Sequence, residues 1–440
     1  MSESADVLVK GDKPVGALRN PEFRKFWIGE TVSLIGTEVT RFALPLIAVL
    51  SLSASAFEVG LLNAMRYVPI VVVSLFAGIW LDRRRRLPVL IAANIGRALC
   101  IGVVPVLAAT DSLTLWVLCL VALVLGTLTV LFDVGSLSFV PSVVERPQLP
   151  DANGRLQTSF SFAMIVGPGL GGFLVAALSA PTTLAVDALS YAFSVALLLS
   201  LRVSEPEPQA KADRPGVRAS IAEGLHAVFG NKVLRNLLTQ SATFNLAQNA
   251  MITVFILYTV RTLGLSAQQL GLVLGVGSLG SLAGALLANR ITRAVGYGRT
   301  LRLATIVAGL APLLFLTARG DGLSSVVILT AAYGTAGFML VIYNVNTVSL
   351  RQVVTPNRLL ARMNASYRMV LFGTIPLGAL LGGTLAQQLG LRPAMAITLV
   401  LLTSPIAWTF FSPVFRLPAL PSGPDDPLVA PAPAPLPTKA

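Results

Sequence analysis

Eight ionisable side chains sit inside long apolar runs of this chain: Glu30, Glu38, Arg41, Arg66, Arg97, Asp133, Asp187 and Arg368. A charge at the centre of a bilayer costs upward of about 2.5 kcal/mol, so such residues are first read as parts of a transport or proton pathway. A carboxylate that alternates between pairing with an arginine and binding a proton is the smallest device that couples solute movement to proton entry. Protonation removes the charge that burial penalises. Glu38 is the leading candidate, Asp133 and Asp187 follow, and Arg41, Arg66 and Arg97 are the charge partners. Counting about 1.5 Å per helical residue puts Glu38 roughly 18 Å, Arg66 roughly 20 Å and Arg97 roughly 15 Å in from the basic loops. Glu38 is thus within range of Arg66 or Arg97, and a permanent structural ion pair is the alternative. Asp133, near the basic end of its run, favours a contact with Arg83 or Arg86. Asp187 lies close to the opposite face, where a helix-start role stands equally.

Other chemistry is excluded. The single His226 cannot build a catalytic or metal cluster, and Cys100 and Cys119 lie inside apolar runs without metal-ligand spacing. Gly275-Val-Gly277-Ser-Leu-Gly280 has the spacing of a dinucleotide fingerprint, but no strand precedes it, and close helix packing is the reading. No GxxxxGK[ST] loop is encoded, so no ATP drive, cofactor, metal or enzymatic reaction is expected.

The elements that must position the charges follow from composition. The 440 residues are 54% hydrophobic and only 12% charged, the balance of a membrane protein. Twelve stretches of membrane-spanning length run from about Phe26–Leu50 and Val59–Leu81 to Met369–Leu389 and Pro393–Phe415. A net charge of +13 invites a nucleic-acid reading, but the arginines cluster in every second loop, which points to cytoplasmic loops and a lipid bilayer instead. Both termini are therefore expected inside a bacterial inner membrane, and the first stretch, preceded by no cleavable signal, must direct insertion. The expected organisation is a cytoplasmic segment (1–22), a six-helix bundle (23–202), a linker ending in an interfacial helix over Ile221–Phe229 (203–232), a second bundle (233–416) and a disordered Pro/Ala-rich tail (417–440).

The halves repeat at an offset of about 210 residues. Val59-Gly60-Leu61 answers Leu270-Gly271-Leu272, and Gly171-Gly172 in the fifth stretch answers Gly382-Gly383 in the eleventh. Parallel repeats of this kind place a substrate cavity near the midplane and rock about it.

Three motifs then carry a resemblance. The loop Gly78-Ile-Trp-Leu-Asp82-Arg83-Arg84-Arg85-Arg86 resembles the signature of the major facilitator superfamily at Gly78, Asp82, Arg83 and Arg86, and departs from it at Arg85 and Leu87. The resemblance implies a cytoplasmic gate there; a topogenic charge cluster is the plainer reading. In the fifth stretch Gly154, Ala163, Gly167, Pro168, Gly171 and Gly172 are similar to the motif of proton-driven antiporters, with Ala163 replacing its middle glycine. Close packing alone explains the same residues. The opening Leu18 to Gly36 resembles the branch of macrolide-efflux and enterobactin-exporter-like permeases, whose substrates are drugs, siderophores and other secondary metabolites.

The same resemblance implies that stretches 1, 4, 7 and 10 line the cavity. Their polar residues at helical spacing are Ser33 and Thr37, then Thr129, Ser241, Asn245, Gln248, Asn249, Thr335, Tyr343 and Asn346. Neutral amides and a phenol suit a small amphipathic organic ligand, although interhelical hydrogen bonding needs the same residue types. The expected protein is an all-α integral membrane protein of two six-helix pseudo-symmetric bundles, monomeric, and a secondary active exporter driven by protons. A nutrient uptake permease and a transport-inactive membrane sensor are the alternatives.

Overall fold

The computed structural model describes residues 16–82, 84–203, 205, 217–356, 359–421, 423 and 426. Within a bilayer every backbone polar group must be paired internally, and helices do this within one segment. The first half comprises α1 (Pro21–Leu46), α2 (Ala56–Val72), α3 (Ser74–Asp82), α4 (Arg86–Ala109), α5 (Leu115–Val143), α6 (Leu149–Leu178) and α7 (Ala180–Leu199). The linker helix α8 (Val217–Gly230) leads to α9 (Lys232–Leu257), α10 (Ala267–Val295), α11 (Tyr297–Leu310), α12 (Leu323–Val353), α13 (Leu360–Leu389), α14 (Leu391–Thr403) and α15 (Trp408–Phe411).

Among the described residues, eleven helices are long and apolar enough to cross a membrane. The second stretch is the twelfth, divided into α2 and α3 of 17 and 9 residues. At the division the Ser74 hydroxyl donates to the Ile70 carbonyl, the group that its own N–H would take in an unbroken helix. Pro312 and Pro405 turn the ends of the ninth and twelfth stretches into 3₁₀ helix for want of an N–H.

The duplication is sharper in the structure than in the sequence. Asn20 and Asn231 each accept two backbone N–H bonds at the starts of α1 and α9. Both helices end in a five-residue π turn, Ile47–Ser51 and Tyr258–Thr262. Capping boxes then open the next helices, Ser55 with Glu58 and Ser266 with Gln269. Each of these features recurs 211 residues later.

The halves meet along two helix pairs, α2 with α13 and α6 with α10. Glycine makes both crossings possible. A Cβ at Gly60 would lie 2.6 Å from the Ala379 carbonyl and 3.1 Å from the Gly383 Cα, and one at Gly172 would lie 2.6 Å from the Ala267 carbonyl and 3.0 Å from the Gly271 Cα. The repeat thus crosses itself twice in the same way.

Three apolar clusters show how the bundle is shaped. The largest joins both halves through residues such as Leu44, Ile47, Val254, Leu257 and Tyr258, at the end where the π turns lie. At the other end each half has its own cluster, one around Phe23, Phe139 and Leu198, the other around Leu234, Leu350 and Tyr367. The molecule is closed at the π-turn end and split at the end that carries the chain termini. Large apolar side chains such as Leu99, Trp116, Leu189 and Leu286 are exposed on the helices, as a lipid-facing surface requires.

The linker is fastened to both halves. The Glu205 carboxylate accepts the Arg86 and Leu87 N–H groups at 2.6 Å each, capping α4, and Glu223 on α8 pairs with Arg362 on α13. So α8 docks on α13, with Val228 fully buried, and is more than an interfacial helix. Two expected boundaries also shift. Leu417 is buried and accepts the Gly298 N–H at 2.9 Å, so packed chain runs through it, and Ala17 donates to Asp151 at 2.7 Å inside the segment expected to be separate.

Candidate substrate cavity and charge network

A cavity of about 270 Å³ lies between the halves beneath the closed end. Its wall takes Glu38 and Arg41 from α1, Asn63, Arg66 and Tyr67 from α2, Pro168 from α6, Asn249 and Thr253 from α9, and Tyr333 from α12. Phe42, Pro45, Phe255 and Phe315 are among its many apolar lining residues. The seal is held by contacts across the halves. The Arg261 guanidinium donates to the Ala54 carbonyl at 2.6 Å, and the Asn63 amide reaches the Thr253 hydroxyl at 3.4 Å.

The ion pair in this cavity corrects the sequence reading. Glu38 pairs with Arg41 at 2.8 Å, one turn away on the same helix, and not with Arg66 or Arg97. The spacing of three residues puts both side chains on one face. The Glu38 side chain is 6% exposed and Arg41 39%, so the carboxylate is the inner member. Glu38 is seated by the glycine–proline motif: a Cβ at Gly167 would overlap the Glu38 Cβ, and one at Gly171 would press Phe42 at 3.0 Å. Ala163 is fully buried, while Gly154 meets nothing and makes no such seat.

Behind the cavity, the first half holds a second polar network. Asp187 is fully buried, accepts bonds from the Thr40 and Ser190 hydroxyls, and lies against Gly36. It stands two turns into α7, so it does not serve a helix start. Arg97 donates to Asn94 and is sandwiched between the rings of Phe132 and Tyr191 at 4.0 and 4.6 Å. Asn94 in turn reaches Ser194 at 2.9 Å. Thr37 bonds Tyr191 at 2.9 Å and Ser33 is buried beside it, so both face the inside of their own half and leave the cavity wall to Glu38 and Arg41. Asp133 is exposed on α5 and within electrostatic range of Arg97, Arg41 and, from the other half, Arg368. Arg86 stands at the Glu205 cap and makes no ion pair with Asp133 among the described residues.

The polar stripes of the second half divide. Ser241, Asn245, Gln248 and Tyr343 line a smaller cavity of about 120 Å³ with Arg351, which lies 3.9 Å over the Tyr367 ring. Tyr343 donates to Gln240 at 2.9 Å, and Tyr367 and Ser241 join at 3.1 Å. Asn249 turns to the central cavity. Asn346 faces the opposite side, its amide donating to the Thr292 hydroxyl at 3.0 Å and its backbone carbonyl accepting from the Tyr297 hydroxyl at 2.7 Å. Thr129 and Thr335 line neither cavity. Of the expected gate, Gly78 and Asp82 lie on α3 and Arg83 lies outside the described residues.

Sequence reasoning missed Asn63, Tyr67 and Tyr333 in the cavity wall. Asn63 lies three residues before Arg66, and that spacing was the available signal. It also missed Glu205 and Glu223, whose roles depend on where the linker lands.

The sequence profile of the Major Facilitator Superfamily matches residues 26–379. The multidrug efflux pump Tap of Mycolicibacterium fortuitum is 28% identical over 383 residues, covering 83% of this chain and 90% of that one. The enterobactin exporter EntS of Escherichia coli O1:K1 is 25% identical over 393 residues, covering 86% and 88%. Among solved structures, the nucleoside transporter NupG superposes with a TM-score of 0.71 at 14% identity over 90% of this chain and 99% of that one. A bacterial homologue of the human lysosomal transporter Spinster, inward-facing and unoccupied, gives 0.65 at 16% identity over 92% and 98%.

Proposed function

The chain belongs to the Major Facilitator Superfamily of membrane transporters, and from that premise we propose that it is a proton-coupled exporter of a small amphipathic organic molecule, working by alternating access. The observation that carries this reading is the Glu38–Arg41 pair in the wall of the central cavity, set on the Gly167–Pro168 motif and next to the closed end. A similar length and span are shared with exporters, the multidrug pump Tap and the enterobactin exporter EntS, and that tilts direction toward efflux.

In the proposed cycle, substrate enters the cleft from the split, terminus-bearing end, taken as the cytoplasmic one on the support of the basic loops. As substrate binds, Glu38 gives its proton to the split end and pairs with Arg41. Closure of the split end and opening of the π-turn end then expose the cavity outward, where a proton from outside binds Glu38, frees Arg41 and accompanies substrate release; the return swing delivers that proton to the split end. Asp133, exposed in range of Arg368 of the other half, is proposed to meet it as the split end closes, alongside the loop Gly78, Asp82, Arg83 and Arg86. Asp187, held by Thr40 and Ser190, is proposed as a second proton-holding group next to α1.

Export is tested in a drug-sensitised bacterial host carrying the protein, with and without an uncoupler. Resistance that disappears with the uncoupler supports proton drive. Glu38→Gln is expected to abolish gradient-driven efflux while the purified protein still binds ligand; unchanged efflux in that variant sinks the coupling assignment.

A further inference from the structure

Two arginines face one glutamate in the central cavity. Arg41 is answered by Glu38 at 2.8 Å. Arg66 makes no ion pair and no side-chain hydrogen bond among the described residues; its guanidinium carbon lies 5.8 Å from the Tyr67 ring centroid, and the carboxylates within its electrostatic range are Glu38, already paired with Arg41, and Asp187, which Thr40 and Ser190 hold behind the wall. The rest of the polar wall, Asn63, Asn249, Thr253, Ser278 and Tyr333, holds no anion. A half-buried guanidinium facing an apolar cavity is costly to keep without a counter-charge.

Arg66 is also held in place. Its carbonyl rests on Gly126 of α5, where a Cβ would lie 2.5 Å away, and Pro69 one turn on packs at the same glycine. The root of the side chain is therefore fixed while its head faces the cavity. The cavity it faces is lined by five aromatic rings, Phe42, Tyr67, Phe255, Phe315 and Tyr333, and by Met164 and Met251 among aliphatic side chains. A guanidinium offers a carboxylate a paired set of donors, and rings and sulfur offer flat apolar surface.

We infer that Arg66 is the anion-binding residue of the substrate site, and that the substrate is a flat, largely aromatic molecule bearing one negative group such as a carboxylate. This rests on reading the central cavity as the substrate site. It goes beyond that reading by naming charge and residue. The rival role for Arg66 is as a spare partner for Glu38 during the cycle, which asks nothing of the substrate's charge.

The test uses the purified full chain at neutral pH and three probes of one shape: 2-naphthoate, 2-naphthamide and 2-naphthylmethylamine. The expected result is naphthoate binding at least about tenfold tighter than the other two, the equivalent of about 1.4 kcal/mol. Arg66→Gln should remove that advantage by weakening naphthoate binding at least about tenfold more than naphthamide binding, with Arg66→Lys between. Equal or weaker naphthoate binding to the unaltered protein overturns the inference without any variant, and so does no naphthoate binding. An Arg66→Gln protein that keeps its preference for naphthoate overturns it as well and favours the Glu38-partner role. Thr253→Trp, which fills the cavity, separates the two readings. If it leaves naphthoate binding intact, the cavity is not the site and both readings fail. If it abolishes binding of all three probes while Arg66→Gln changes nothing, only the charge assignment fails.

Discussion

At equivalent stations the two halves make the same seat and put different residues in it. Gly167 of α6 packs against Glu38 of α1, and at Gly378 of α13 a Cβ would lie 3.0 Å from the Asn249 Cβ of α9. Both occupants line the central cavity, yet only one can carry a charge. The same substitution recurs across the repeat: counting on 211 residues, Arg66 corresponds to Gly277, Asp133 to Asn344 and Asp187 to Thr398. Caps, π turns and glycine crossings are duplicated, while all the buried-run carboxylates, and every one of the eight ionisable groups except Arg368, belong to the first half. Backbone geometry is needed twice for a rocking frame; the proton switch proposed above needs charge once.

The comparison breaks most severely if a seat itself is lost. Gly167→Val is expected to displace Glu38 and α1 together, costing about 1–3 kcal/mol or more in stability and eliminating efflux, read by thermal unfolding in detergent and by the resistance assay. Exchanging the occupants tests the asymmetry directly. Glu38→Asn with Asn249→Glu is expected to leave a folded protein without proton-driven efflux, because Asn249 has no arginine one turn on; its counterpart of Arg41 is Ile252. Retained efflux in the exchanged protein would mean that either half can host the switch.

A smaller effect is expected at the closed end, where the halves also differ. Arg261 clasps the Ala54 carbonyl, but its counterpart Leu50 has nothing to donate. A hydrogen bond from a charged donor contributes about 1.5–3 kcal/mol, so Arg261→Gln should shift the closed-to-open ratio at this end by roughly tenfold. Spin labels on Leu50 and Gln268 would report the shift as a new, longer distance population. The smallest effect is sought in the second half: Tyr343→Phe deletes one neutral bond to Gln240 and is expected to cost about 1 kcal/mol of stability with efflux kept.

Much of this was legible in the sequence, for physical reasons that differ by feature. Apolar runs, basic loops and glycine repeats report solvent and packing, and solvent acts on every residue. The Glu38 partner was not legible, since Arg41, Arg66 and Arg97 are all compatible with a buried carboxylate and only side-chain direction on α1 selects the first. The polar stripes misled for a related reason. Thr37 and Asn346 have the same spacing as Asn249, but a hydroxyl or amide on a helix serves a neighbouring helix as readily as a cavity. The break at Val73 was not legible either, since the Ser74 bond to Ile70 found there is also made by Thr37 and Thr127 inside unbroken helices.

The placement of the glycine crossings fixes a ratio of lever arms. Gly172 lies 6 residues from the closed-end terminus of α6 and 23 from the other. At about 1.5 Å per residue these arms are roughly 9 and 35 Å. A rigid rotation about that fulcrum moves the far tips about four times as far as the near ones. A swing wide enough to shut the large mouth therefore opens only a narrow aperture opposite, unless helices bend as they turn. The division of the second span at Val73 is placed on the long arm, where bending does most to even out the two openings.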